Sequence, residues 1–172
     1  MVTIRAEISS DIAQREVLLN QAFGQKRLRK TSEKLRAGRV PALAFTAVDA
    51  KGKLIGTIRL WNIIAGSAGQ SLLLGPLAVD CKHQKSGIGS SLMKLAIATA
   101  TELGHESILL VGDEPYYSRF GFNPNLTHSL HLPGPVDRNR FLGLELQPQA
   151  LDDAEGLVAA SGELENKVAH AA

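Results

Sequence analysis

The residues from Gln84 to Ser91 read "QKSGIGSS" and stand between an apolar run, "SLLLGPLAVD", and an apolar-periodic segment, "LMKLAIATATELG". A glycine-rich turn between a strand and a helix leaves the first backbone N–H groups of the helix without partners, and the helix macrodipole adds a positive field there. The chemistry available to such a turn is phosphate binding. Gly87 and Gly89 let an anion approach the backbone, Ser90 and Ser91 add hydroxyl donors, and Lys82 and Lys85 add positive potential. The same letters describe a tight turn in which Ser86 merely caps a helix, and residue chemistry alone leaves the two readings level. A P-loop requires G-x-x-x-x-G-K-[ST], which does not occur. A dinucleotide fingerprint requires Gly or Ala where Leu92 stands and normally follows the first strand, whereas this turn lies halfway along the chain.

Other reactive side chains are few. Cys81 is the single cysteine, so neither an internal disulfide nor a Cys-based zinc site can form, and a reducing compartment suits the chain. His83 beside the turn reads as a surface histidine, and Asp113 and Glu114 as a solvated turn. His128 and His131 lie in "NPNLTHSLHLPGPVDRNR", too irregular to assign to elements, with no Cys or carboxylate at supporting spacing, so no metal site is expected.

The elements that must position these residues follow from periodicity. "VTIRAEI" alternates as a strand, and "SSDIAQREVLLNQAF" carries capping residues ahead of a helical pattern. The basic stretch Lys26–Arg39 continues as a second helix or helical turn that Pro41 ends. "ALAFTAVDAKGKLIGTIRLWNII" predicts a hairpin turning at Asp49 to Gly52. Ser71 to Asp80 is a strand in which Gly75-Pro76 marks a bulge or broken pairing, because an interior proline cannot donate to a ladder. Ile88, Leu92, Leu95, Thr99 and Leu103 step along one helical face, and Gly104 stops it. "SILLV" and "FLGLELQ" are later strands, "DEPYYSRFG" a turn into a short helix, and the Ala- and Glu-rich tail from Asp152 is half ordered. Together these predict one mixed α/β domain, a single sheet with helices on its faces.

With 172 residues, 44 % of them hydrophobic, the chain can bury one sizeable core. A net charge of +2 is too small to argue for nucleic acid, although seven bases against one acid in Lys26–Arg39 make that segment locally basic. It reads as a solvated helix face. No signal pattern opens the chain and no run approaches the length of a membrane span, so the expected location is the cytoplasm, with no membrane partner.

The stretch "LGPLAVDCKHQKSGIGSSLMKLAIATATELGHESILLVGDEPYYSRFGF" resembles motifs A and B of the GNAT superfamily of acyl-CoA-dependent N-acetyltransferases, in the form of a bacterial branch of predicted N-acetyltransferases. Gln84-x-x-Gly87-x-Gly89 matches the [RQ]-x-x-G-x-[GA] pyrophosphate loop, and "YYSRFGF" matches the later Y-x-x-x-G-F signature. The resemblance implies an α+β fold whose mostly antiparallel sheet splays between its fourth and fifth strands, a catalytic domain over 1–150 and a partly ordered extension over 151–172. It implies acetyl-CoA as cosubstrate, no metal, and direct transfer to a primary amine without an acyl-enzyme, so Cys81 is not needed as a nucleophile. The pantetheine arm would lie along Leu77, Ala78 and Val79, with the N–H of Leu77 or Ala78 polarising the thioester oxygen. The diphosphate would sit on Gly87, Ile88, Gly89, Ser90 and Ser91, with Gln84, Lys85 and Ser86 around it. Tyr117 would be the general acid, and Tyr116 a packing residue.

Where the family often has Asn after the fifth strand, Gly112-Asp113 stands here, and no general base is legible. The acceptor pocket would be built from Lys26–Arg39, Trp61-Asn62 and residues 123–140, and the basic cluster there, which reads as a solvated face, has as its alternative the attraction of an acidic or phosphate-bearing acceptor. Two rival classes remain: a catalytically degenerate acyl-CoA sensor or interaction module, and a nucleic-acid-binding protein whose turn grips backbone phosphate. The intact Tyr117 favours the enzyme. A homodimer is left open by the resemblance.

Overall fold

A computed structural model of the chain describes residues 1–166. Its elements run β1 (Thr3–Ala6), α1 (Ile12–Phe23), β2 (Leu43–Val48), β3 (Leu54–Ala65), β4 (Gln70–Val79), α2 (Ile88–Glu102), β5 (Ser107–Val111), α3 (Glu114–Tyr117), β6 (Ser129–His131), β7 (Phe141–Glu145) and β8 (Glu155–Ala160). The expected hairpin forms at Asp49, whose carboxylate accepts the N–H groups of Lys51 and Lys53, both at 2.9 Å. The strands join in the order β1-β2-β3-β4-β5-β7. Neighbours along this path are antiparallel except β4 and β5, which are parallel.

Side-chain alternation along the strands sends successive residues to opposite faces, and each face is covered differently. On one face Ile55, Ile58, Leu72 and Leu74 pack under α2, which contributes Ile88, Leu92, Met93, Ala96 and Ala100. This buried stripe differs from the one read off the sequence: Leu103 is 63 % exposed, and the small residues Ala96 and Ala100 replace Leu95 and Thr99 at the contact. Small residues suit a helix seated this closely, since a Cβ on Gly56 of β3 would stand 3.1 Å from both Ile88 and Leu92. Leu92 and Met93, both fully buried, contribute about 1.5–3 kcal/mol each by the usual burial scale.

On the opposite face Leu18 and Leu19 of α1 pack on Leu54 and Ala78. Further along that face Trp61, Ile63, Leu73 and Leu109 meet Leu130 of β6 and Val158 of β8.

Two strands were not foreseen. β6 lies inside the irregular 123–140 stretch, and β8 within the expected extension; they pair in parallel with each other, while β8 pairs antiparallel with Ile63, Ile64 and Ala65 of β3. Neither carries a long alternating signal, and each is held by pairing rather than by its own pattern. The basic stretch is not one helix. It forms two 3-10 turns, Gln25–Arg29 and Thr31–Leu35, separated by Lys30 in extended backbone. Nor is it simply a solvated face, since Arg27 and Arg36 are each only 8 % exposed.

Candidate active site

Asp80 starts the glycine turn by accepting the Lys82 N–H at 2.9 Å; that bond, with Lys53 and His83 nearby, holds its carboxyl below the usual carboxylate range. Gly87 is the residue before α2 and has φ +85°, a left-handed conformation that side chains other than glycine's adopt only with strain. The space around it is open, so its role is conformational and not one of clearance. From there the Ser91 N–H donates to the Gly87 carbonyl at 3.0 Å, whereas the N–H groups of Ile88, Gly89 and Ser90 have no partner among the described residues. Three aligned donors at the positive end of a fifteen-residue helix are what a diphosphate requires.

A cavity of about 530 Å³ opens onto these donors, lined by Leu77, Ala78, Val79, Gln84, Lys85, Gly87, Ile88, Gly89 and Ser90 among others. Ser86 and Ser91 lie off it: the Ser86 hydroxyl is given to the His83 carbonyl, and the Ser91 N–H is used within the helix.

The strand that feeds this turn is open on one side. β4 pairs with β5 only at Leu72 and Leu73, so from Leu74 to Val79 the edge facing β5 has no ladder partner. Its other edge stays paired to β3, with an irregularity at the glycine-proline step: Ile58 to Leu60 on β3 spans Leu77 to Leu74 on β4, three positions against four. The extra residue is the bulge that Gly75-Pro76 predicted. Trp61 fixes it from the opposite face by donating its indole N–H to the Gly75 carbonyl at 2.6 Å, and the Arg59 guanidinium covers the Trp61 ring at 4.8 Å. Thus the splay between the fourth and fifth strands is present, and Leu77 and Ala78 stand at its mouth.

Tyr117 closes that mouth from the side of β5. Its ring packs edge-on against Tyr116 (4.9 Å between centroids) and Phe122 (6.1 Å). A Cβ on Gly112 would collide with it, Tyr117 Cδ2 being only 2.9 Å from that position. Gly112 is therefore the residue that lets Tyr117 reach the cleft, and the departure from Asn at this point in the sequence was the available signal. Burial, then the neighbouring Tyr116, pushes the Tyr117 hydroxyl up to about 12, with Asp113 adding to the rise and Arg140 opposing it. The phenol stays protonated at neutral pH and makes no hydrogen bond to a described residue. Tyr116 does more than pack: its hydroxyl lies 3.0 Å from where a Gly89 side chain would begin, so it bounds the glycine turn.

A second cavity, about 890 Å³, adjoins the first and shares with it only Leu77, Gln84, Tyr116 and Tyr117. Its walls come from the two 3-10 turns, the β4 bulge, the end of β5 and residues 135–140. Trp61 and Asn62 do not line it. Arg36, which sequence reasoning left within a surface cluster, is turned inward here, and no periodicity could have shown that. Cys81 lines neither cavity and is exposed. His128 and His131 share a shallow cleft with Glu155 that has no lining residue in common with either cavity, and no group of three or more His, Cys, Asp or Glu placed to hold a metal occurs among the described residues.

The two cavities thus meet at Leu77, Gln84 and the tyrosine pair Tyr116 and Tyr117, beside the open edge of β4. The chain matches the family described as Acetyltransferase (GNAT) family over residues 12–122. It is 30% identical over 156 residues, 90% of this chain and 93% of the relative, to the uncharacterized N-acetyltransferase YhbS of Escherichia coli strain K12. The crystal structure of that E. coli protein in complex with CoA superposes with a TM-score of 0.79 at 28% identity, covering 93% of this chain and 89% of the other. A GNAT family acetyltransferase from Brucella melitensis in complex with acetyl-CoA gives a TM-score of 0.69 at 26% identity, covering 94% and 96%. The chain belongs to the GNAT family. It is an acyl-CoA-dependent N-acyltransferase.

Proposed function

We propose that this chain transfers an acetyl group from acetyl-CoA directly to a primary amine, with the donor in the first cavity and the amine in the second. The observation that carries the reading is the shared boundary. Leu77 and Tyr117 border both cavities, so a thioester lying along the open β4 edge would present its carbonyl to the acceptor side. The free N–H groups of Ile88, Gly89 and Ser90 hold the diphosphate, Lys85 and Gln84 flank it, and the unpaired edge at Leu77, Ala78 and Val79 receives the pantetheine amides.

In the reaction the amine nitrogen attacks the thioester carbonyl carbon. The oxygen takes up the electron pair and is stabilised by a backbone N–H at Leu77 or Ala78. Collapse forms the amide, breaks the C–S bond and expels the thiolate, while the proton lost by the amine passes to solvent. Tyr117 faces the departing sulfur. Its hydroxyl is pushed up to about 12, whereas a thiol of cysteine type titrates near ~8.5, so complete proton transfer would run uphill by roughly 5 kcal/mol. Tyr117 thus acts by donating a hydrogen bond to the developing thiolate while keeping its own proton, and the thiolate takes up a proton from solvent as the coenzyme leaves.

Thiol release from acetyl-CoA across a panel of amines, alongside calorimetric acetyl-CoA binding, tests the reading. Amine-dependent release supports it. Tight coenzyme binding with no release for any amine would point instead to an acyl-CoA sensor.

A further inference from the structure

Four cations line the acceptor-side cavity, and two of them, Arg27 beside Glu16 and Arg36 beside Glu33, have a carboxylate partner, whereas Lys30 and Arg140 have none among the described residues. Lys30, Arg36 and Arg140 all line it. Arg36 gives its Nε–H to Glu33 at 2.8 Å, and neither Nη has a partner among the described residues. One of them, Nη1, lies 3.2 Å from where a Gly75 side chain would begin, directly beside the β4 bulge. Lys30 rests over the Phe23 ring at 4.8 Å, and neither it nor Arg140 forms an ion pair among the described residues. Partial burial, then repulsion from Arg36 and from Arg140, depress the Lys30 ammonium. Asp113 and Asp137 also line the cavity, but neither is within ion-pair distance of these cations, and the Asp137 carboxylate accepts the Asn139 N–H at 3.0 Å.

The wall that holds the cations is built. The Thr31 hydroxyl donates to the Pro135 carbonyl at 2.6 Å and Lys34 Nζ to the Pro133 carbonyl at 3.0 Å, tying the second 3-10 turn to the segment that carries Arg140.

We propose that the acceptor is an amine that also carries an anionic group, a carboxylate or a phosphate, and that Arg36, with Lys30 and Arg140, holds that group. The inference rests on the N-acetyltransferase reading for the amine, but the anion site stands on the cations alone. Coenzyme phosphates do not explain them, because the diphosphate donors lie in the other cavity beyond Tyr116 and Tyr117. Arg36 meets β4 at Gly75, two residues before the Leu77 N–H, which in extended chain is about 6–7 Å. The anion therefore lies several bonds from the reacting nitrogen.

The test compares matched amines: γ-aminobutyrate with its amide, and O-phosphoethanolamine with ethanolamine. One anionic member is expected to exceed its neutral twin at least tenfold in kcat/KM, and which pair does so names the anion. Lys30→Gln and Arg140→Gln, both at exposed positions, should raise the KM for that amine about tenfold with acetyl-CoA affinity unchanged. Arg36→Gln should do so more strongly, with partial recovery in Arg36→Lys. In parallel, glutarate and inorganic phosphate are titrated into the coenzyme A complex, where one should bind and should weaken about tenfold in Lys30→Gln. Equal use of neutral and anionic amines, or no anion binding to the complex, overturns the proposal. Anion binding without turnover of any amine keeps it and removes the N-acetyltransferase reading.

Discussion

Tyr117 is wedged between Tyr116, Phe122 and the bare backbone of Gly112, and its hydroxyl is raised by that burial to about 12. If it contributes one hydrogen bond to the thiolate, Tyr117→Phe should lower kcat about 10–100-fold, leave the KM for acetyl-CoA nearly unchanged, and not abolish turnover. Steady-state thiol release measures this, and full activity would remove Tyr117 from the mechanism. Because the phenol must stay protonated and its titration is displaced upward, the rate should climb with pH as the amine deprotonates. No falling limb should appear near ~10, where an ordinary tyrosine ionises. A descending limb there would show that the hydroxyl is not held in the protonated form. Gly112→Ala should mimic Tyr117→Phe by displacing the ring; unaltered kcat in that variant would detach the glycine from the site.

At the scale of elements, the left-handed conformation of Gly87 turns the chain into α2 and leaves the Ile88, Gly89 and Ser90 N–H groups free for the diphosphate in the proposed reading. Gly87→Val is expected to weaken acetyl-CoA binding at least tenfold by calorimetry while the protein remains folded, and equal affinity would remove the turn from the donor site. Much of this was legible in the letters: the turn, the helix after it and the proline-broken strand before it all rest on local backbone rules that sequence expresses directly. What was not legible depends on contacts far apart in the chain. Trp61 reaching Gly75, Thr31 reaching Pro135, and β8 joining β3 leave no periodic trace. Arg36 looked like any cation in a basic run, and only the break at Lys30 into two 3-10 turns points it inward. The Asp11 carboxylate, forked by Arg5 at 2.7 and 3.0 Å and accepting the Ile8 N–H, likewise anchors the start of α1 to β1.

At the scale of the whole molecule, the expected extension belongs to the sheet as far as residue 160, since Val158 of β8 is fully buried against the face that holds Trp61. Removing residues 152–172 should lower Tm by at least about 5 °C, because one buried valine alone is worth about 1.5–3 kcal/mol. An unchanged melt would mean that β8 adds nothing to the sheet's stability. Among the described residues no helix is long and apolar enough to cross a membrane. The basic segment faces a cavity as much as it faces solvent, which argues for a small anionic ligand over a nucleic-acid backbone. In the proposed reaction two substrates meet across Leu77 and Tyr117, which border both cavities. Its most direct test is amine-dependent thiol release from acetyl-CoA, measured for the wild-type chain and for Tyr117→Phe side by side. The predicted result is release with at least one amine, slowed at least tenfold in the variant; coenzyme binding without release for any amine would contradict it.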